Sequence, residues 1–167
     1  EEIVINHMYF HPTQDIQDAL VQAAERGVKI KIITCGTHAT CPNGQKIFGP
    51  RNAYNYANLV NRLPEEKKSN VEVYEYTQNK KGLHKKVIVF DKEHVLAGSS
   101  NFGYKSLETS SDHEVNFLAS SKTFAKETLD VCDKDIAHSE KVENPGKISY
   151  MQQGRAAAHR LAAPLIG

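Results

Sequence analysis

An α/β fold, with a mixed and mostly parallel sheet flanked by helices, is the class that this sequence predicts. Three observations carry the prediction. A strand, helix and strand succeed one another within the first 34 residues, further runs of branched and aromatic residues recur beyond residue 70, and the helical stretches carry a single apolar stripe.

The elements follow in order. "IVINHMYF" (3–10) is rich in branched and aromatic residues and reads as a strand, closed by the punctuation "HPT". "QDIQDALVQAAERG" sets Ile16, Leu20, Ala23 and Ala24 at helical spacing, with Thr13 as N-cap and Gly27 as the stop. "VKIKIIT" (28–34) alternates Val28, Ile30 and Ile32 against Lys29 and Lys31, a strand with one buried face. A strand, helix and strand in this order predict a parallel crossover. Residues 35–50 hold Gly36, Pro42, Asn43, Gly44, Gly49 and Pro50 and read as a long loop, with a helix over 51–63 after it. Strands are expected at 71–77, 85–91 and 113–119, and "EHVLAGSS" leads out of the middle one. Ser121 to Ala137 reads as a helix whose inner stripe is Phe124, Thr128, Leu129, Cys132 and Ile136. After Pro145, the alanine-rich tail with Arg155 and Arg160 suits a short helix, either laid on a bilayer surface or docked on the domain.

A chain of 167 residues fits one domain. Its 21 basic and 20 acidic residues leave a net charge of +1, so no global field favours nucleic acid or an anionic membrane. Three cysteines (Cys35, Cys41, Cys132) do not make a disulfide scaffold. No run reaches the roughly 18 to 20 apolar residues of a spanning helix, and the expected setting is cytoplasmic or membrane-peripheral. The chain opens inside a strand with no initiator methionine or leader, which reads as the start of a fragment.

The chemistry lies in "GLHKKVIVFDKEHVLAGSSN", residues 82–101. Residues two apart in a strand share a face, so His84 and Lys86 project together while Val87 and Val89 pack on the other side. Beyond Asp91 the chain turns, runs back, and reaches Gly98, which permits close backbone approach, then Ser99 and Asn101, which offer a hydroxyl and an amide. An imidazole, an ammonium, a hydroxyl and an amide suit a phosphodiester. The lysine supplies charge, the others supply hydrogen bonds, and the imidazole attacks or protonates. On residue type alone, the same groups also suit a solvated strand edge followed by an ordinary turn.

The spacing His84-x-Lys86-(x4)-Asp91-(x6)-Gly98-Ser99-x-Asn101 closely resembles the HKD motif of the phospholipase D superfamily. The similarity extends along the chain. "HMYFHPTQDIQDALVQAAERGVKIKII" and "VEVYEYTQNKKGLHKKVIVFD" resemble the second half of bacterial cardiolipin-synthase-like phosphatidyltransferases, and "NFGYKSLETSSDHEVNFL" is similar to the segment that follows, with a glutamate at Glu114.

The resemblance implies a single phospholipase D-like half, residues 1–167 being one domain and the C-terminal half of a two-motif protein. It implies phosphodiester cleavage or phosphatidyl transfer on glycerophospholipids. One HKD histidine attacks phosphorus to give a phosphohistidine, the other protonates the leaving alcohol, and water or a second alcohol resolves the intermediate. No cofactor or metal is needed. His84 is then nucleophile or general acid, Lys86, Ser99 and Asn101 bind phosphate, Glu114 orients an imidazole, and Asp91 and Gly98 are structural. His7, His11, His38, His94, His113, His138 and His159 all lack a lysine two residues on. The second histidine must therefore come from a missing N-terminal half, which we favour, or from a homodimer partner. The alternative activity is an HKD endonuclease working on nucleic acid as a homodimer, against which the near-neutral charge argues. A non-catalytic phosphate-binding module is a third reading.

Weaker signals surround the motif. Cys35, His38 and Cys41 have zinc-like spacing but lack a second ligand pair, so no metal site is assigned. Arg51, Lys80, Lys81, Lys85, Lys86 and Lys105 could steer a phosphate, and Tyr54, Tyr56, Tyr74 and Tyr76 serve packing as well as ligand contact.

Overall fold

The computed structural model describes residues 1–36, 43–78, 82–107 and 112–166. His38, Cys41, Lys80 and Lys81 lie outside them. The elements are β1 (Glu2–His7), α1 (Gln14–Glu25), β2 (Lys29–Cys35), α2 (Asn43–Asn61), β3 (Val71–Tyr76), β4 (Lys86–Phe90), β5 (His94–Gly98), α3 (Tyr104–Leu107), β6 (Asn116–Ser120), α4 (Lys122–Ile136), β7 (Ser139–Lys141) and α5 (Tyr150–Ile166), with a 3-10 helix at Glu65–Asn70. They build one seven-stranded sheet in the order β6-β5-β4-β1-β2-β3-β7.

The alternating strand residues divide the core in two. Ile5, Ile30, Ile32, Val73 and Ile88 face α1 and α2, where Leu20, Ala24, Ala53, Tyr56 and Leu59 cover them. Val4, Ile33, Val89 and Val95 face α4 through Ala125 and Cys132. α5 packs on the outside of α2, with Ala156 buried, which is the docked alternative for the tail.

Two expectations need correction. The sheet is mixed but not mostly parallel: β1–β2 and β2–β3 run parallel, whereas β1–β4, β4–β5, β5–β6 and β3–β7 run antiparallel. The connections decide this, because a parallel return needs a crossover of a dozen or more residues. Residues 91–93 leave room only for a hairpin. The second correction concerns residues 35–50, read as a loop. Helix α2 already begins at Asn43 and runs through Pro50. Its later turns bury Ala53, Tyr56, Ala57, Leu59 and Val60 against the sheet, and that packing outweighs the local cost of a proline and glycines.

The end of the sheet that matters is held by Asn52, which is fully buried. Its amide nitrogen reaches Met8 O (3.1 Å), Thr34 Oγ1 (3.1 Å) and Cys35 O (2.8 Å), and its oxygen accepts from Phe10 N (2.9 Å). One side chain thereby ties together the chain ends leaving β1 and β2, satisfying backbone groups that the sheet no longer pairs. Phe10 then pairs with Phe102, which places the segment after Asn101.

Gly98 shows how closely β5 and β6 approach. A Cβ there would stand 2.2 Å from Val115 O and 2.7 Å from Asn116 Cα, both backbone atoms that cannot swing aside. Gly98→Ala is expected to lower stability by about 1–3 kcal/mol, the usual range for overpacking, in a urea denaturation series. An unchanged midpoint would show that β6 moves away at no cost.

Candidate active site

His84 and Lys86 meet at the opening of β4. His84 lies two residues before the strand, outside it, and is exposed; Lys86 is the first strand residue and half-buried. Lys86 Nζ stands 3.3 Å from His84 Nε2, 3.5 Å from Nδ1, and 3.2 Å from the His84 carbonyl oxygen, to which it donates. Further along the same face, Ile88 is buried in the first core cluster.

The intervening residues explain why an exposed histidine is held in place. Leu83 is buried in the second core cluster. Lys85, on the opposite face from its neighbours, forms an ion pair with Asp135 of α4, and Asn6 Nδ2 donates to the same carboxylate oxygen at 2.7 Å. Anchors on either side of His84 thus pin the backbone while its ring stays accessible.

The loop after β5 brings the second group. Glu114 lies before β6 rather than within it, and each carboxylate oxygen accepts a hydroxyl: Oε2 from Ser99, and Oε1 from Ser106 at 2.8 Å. Those two hydrogen bonds and the Lys86 charge hold the Glu114 carboxyl below its ordinary pKa. Burial pushes the Lys86 ammonium pKa down, and Glu114 opposes the shift. Lysine and glutamate are therefore joined through the electrostatics of one site, although Glu114 bonds to hydroxyls and not to His84. Asn101 is half-buried, and its Oδ1 has no hydrogen-bond partner among the described residues.

Asp91 stands apart. It occupies the far end of β4, on the order of 17 Å from Lys86 at strand rise. With Lys92 it adopts positive φ (52° and 57°), the backbone of a tight hairpin turn, and its carboxylate accepts from Glu2 N at 2.9 Å.

Sequence reasoning set His7 aside, yet the antiparallel register places it directly opposite Lys86. Its ring stacks on Phe102, with centroids 4.5 Å apart and planes at 16°. Ser106 was missed as well. Neither has a sequence signal, because one depends on strand register and the other on a loop folding back. Burial, aided by the Lys86 charge, pushes the His7 pKa down to about 3. Unfolded histidine takes up its proton near pH 6.5, so folding stability should fall as pH drops from about 6.5 towards 3, by at most about 1.4 kcal/mol per pH unit. Denaturation midpoints across that window test it: His7→Asn should flatten the slope, and an unaltered slope would assign the acid sensitivity elsewhere.

A family model described as "Cardiolipin synthase, PLD-like domain" matches residues 1–136. This chain belongs to that phospholipase D-like family. Cardiolipin synthase B of Salmonella typhi is 36% identical over 124 residues, covering 74% of this chain and 26% of the relative. A cardiolipin synthase of Halalkalibacterium halodurans is 30% identical over 168 residues, covering 99% of this chain and 30% of the relative. The chain thus spans less than a third of either relative's length. Among solved structures, a phosphatidylserine synthase of Haemophilus influenzae superposes with a TM-score of 0.72 at 12% identity, covering 99% of this chain and 40% of that one. NucT from Helicobacter pylori superposes at 0.61 with 20% identity, covering 84% of this chain and 82% of that one. At such identities these two structures establish the phospholipase D-like fold. Phosphodiester and phosphatidyl-transfer chemistry characterises the superfamily to which this chain belongs.

One further surface adjoins the site. β6 is an edge strand of the sheet, and Val115, Phe117 and Leu118 are 78%, 50% and 66% exposed. Val115 directly follows Glu114. No helix of the described residues is long and apolar enough to cross a membrane.

Proposed function

We propose that this chain is the C-terminal HKD half of an enzyme that cleaves phosphodiesters or transfers phosphatidyl groups on glycerophospholipids. The observation that carries the reading is the contact of the Lys86 ammonium with the His84 ring, at 3.3 Å, where the chain enters β4. Lys86 and Asn101 hold the phosphoryl oxygens, and Ser99 supports them through Glu114. One HKD histidine forms a bond to phosphorus while the ester P–O bond breaks, and the other gives its proton to the departing alkoxide. A second alcohol or water then attacks phosphorus and gives its proton to the second histidine, which lost one in the first step, as the P–N bond of the phosphohistidine breaks.

This chain supplies one such histidine, and its apolar β6 edge beside Glu114 offers a seat for the half that brings the other. Phe117 and Leu118 project to opposite faces of β6, so a partner that wraps this edge would cover both exposed side chains. We favour the second half of the same polypeptide over a homodimer.

The test incubates the protein containing this chain with phosphatidylglycerol vesicles, followed by lipid analysis and acid-quenched trapping of a labelled phosphohistidine. Lipid product together with a phosphohistidine is the expected result. Absence of lipid product from folded protein overturns the substrate assignment, and salt-sensitive cleavage of single-stranded DNA instead would assign the nuclease reading.

A further inference from the structure

His7 and Phe102 take no part in the chemistry assigned to the site, yet both adjoin its phosphate-holding groups. His7 ends β1 and Lys86 begins β4, and the antiparallel register sets them opposite one another. Cross-strand partners project to the same face of a sheet, so the His7 ring stands beside the Lys86 side chain. The same ring stacks on Phe102, with centroids 4.5 Å apart and planes at 16°. Phe102 directly follows Asn101 in the chain.

Asn101 depends on its neighbours for its place. Residues 99–103 form neither helix nor strand beyond the single bridge of Phe102 to Phe10, so no ladder of backbone hydrogen bonds fixes the Asn101 amide. Upstream, Ser99 is tied to Glu114 and accepts from Val115 N at 3.0 Å. Downstream, the buried Phe102 ring packs against His7 and, tilted at 53°, against Phe10. A near-parallel stack sets the plane and height of the Phe102 ring, and close packing transmits that placement to the adjoining residue.

The His7 ring does this uncharged. Burial, aided by the Lys86 charge, pushes its pKa down to about 3 against a backbone hydrogen bond with Tyr9, so it adds no second cation to compete with Lys86 for an anion. Its Nδ1 has no hydrogen-bond partner among the described residues. The ring therefore serves through its plane and size, and a phenyl ring has both.

We propose that His7 is a positioning residue for phosphate binding: its ring holds Phe102, and through Phe102 it keeps the Asn101 amide at working distance from the Lys86 ammonium. This rests on the assignment of Lys86 and Asn101 as the groups that hold the phosphoryl oxygens.

Calorimetric titration of the protein containing this chain with inorganic phosphate tests it. His7→Ala should weaken phosphate binding about tenfold, and Phe102→Leu should do the same, because a misplacement of about 1 Å is costly in a site built on geometry. His7→Phe keeps a flat uncharged ring and should bind within about threefold of wild type. In an Asn101→Ala background, His7→Ala should have almost no further effect, since the group that it positions is gone. Leu20→Ala, a core truncation in α1, should lower the melting temperature and leave phosphate binding intact. Thermal melts set the temperature at which every variant is folded, and should His7→Ala not fold, Phe102→Leu bears the same expectation. Wild-type binding by folded His7→Ala or Phe102→Leu overturns the positioning role and leaves the phosphate site standing. So does a loss in the Asn101→Ala background as large as in wild type, or a loss in Leu20→Ala as large as in His7→Ala. No phosphate binding by folded wild type, or none of it lost in Asn101→Ala, overturns the assignment of the site itself and the positioning role with it.

Discussion

His84→Ala should reduce turnover of the protein containing this chain by about 10⁴-fold or more, with folding unchanged. The magnitude follows from the role: removing a nucleophile eliminates the covalent route, and removing a general acid alone costs on the order of 10² to 10⁴. The folding expectation follows from the position. The ring is exposed and its contact is with Lys86, while Leu83 and the Lys85–Asp135 pair hold the backbone independently. Lys86→Ala should also abolish activity, because no other described cation stands against that ring. If His84→Ala retains a tenth of wild-type turnover, the imidazole takes no part in the chemistry. Trapping separates the two roles. A His84 nucleophile leaves no phosphohistidine in the variant, whereas a His84 acid leaves one that forms slowly on the other histidine.

Leu118→Asp, or Phe117→Asp, should leave this half folded and yet eliminate activity. Each side chain is at least half exposed, so a carboxylate costs the isolated half little. Against a docked partner it forfeits about 1.5–3 kcal/mol of apolar burial and adds a desolvated charge, which together weaken association by at least about a hundredfold. Because both halves belong to one polypeptide, thermal melts of the whole protein read the loss of docking, and the vesicle assay reads the loss of activity. Full activity with unchanged assembly in both variants would remove the β6 edge from the pairing surface and require another seat for the second histidine.

How much of this was legible beforehand can be traced residue by residue. The strand carrying Lys86 was visible as a branched-apolar run, and the neighbourhood of His84 and Lys86 follows from a two-residue period that any extended chain obeys. The helices α1 and α4 were visible through their apolar spacing. The start of α2 was not, because Gly44, Gly49 and Pro50 spoke locally for a loop and only packing of the following turns against the sheet reverses that preference. Strand direction was misjudged for a related reason. A run of valines states that a strand forms, and it leaves open which neighbour pairs with it and in which sense. His7 illustrates the cost: it lies 79 positions from Lys86 and becomes its cross-strand partner only through the β1–β4 register.

What the order of residues settled unaided was local: the strand that carries Lys86, the helices α1 and α4, the closeness of His84 to Lys86 two residues apart, and the tight fit at Gly98. Those properties depend on backbone periods and steric size, which act over a few residues. Tertiary structure alone decided that Ser99 and Ser106 grip Glu114, that Asn52 binds the ends of two strands, and that His7 stacks on Phe102. These contacts join residues far apart in the chain, and they exist because burying both faces of the sheet leaves the chain few ways to close.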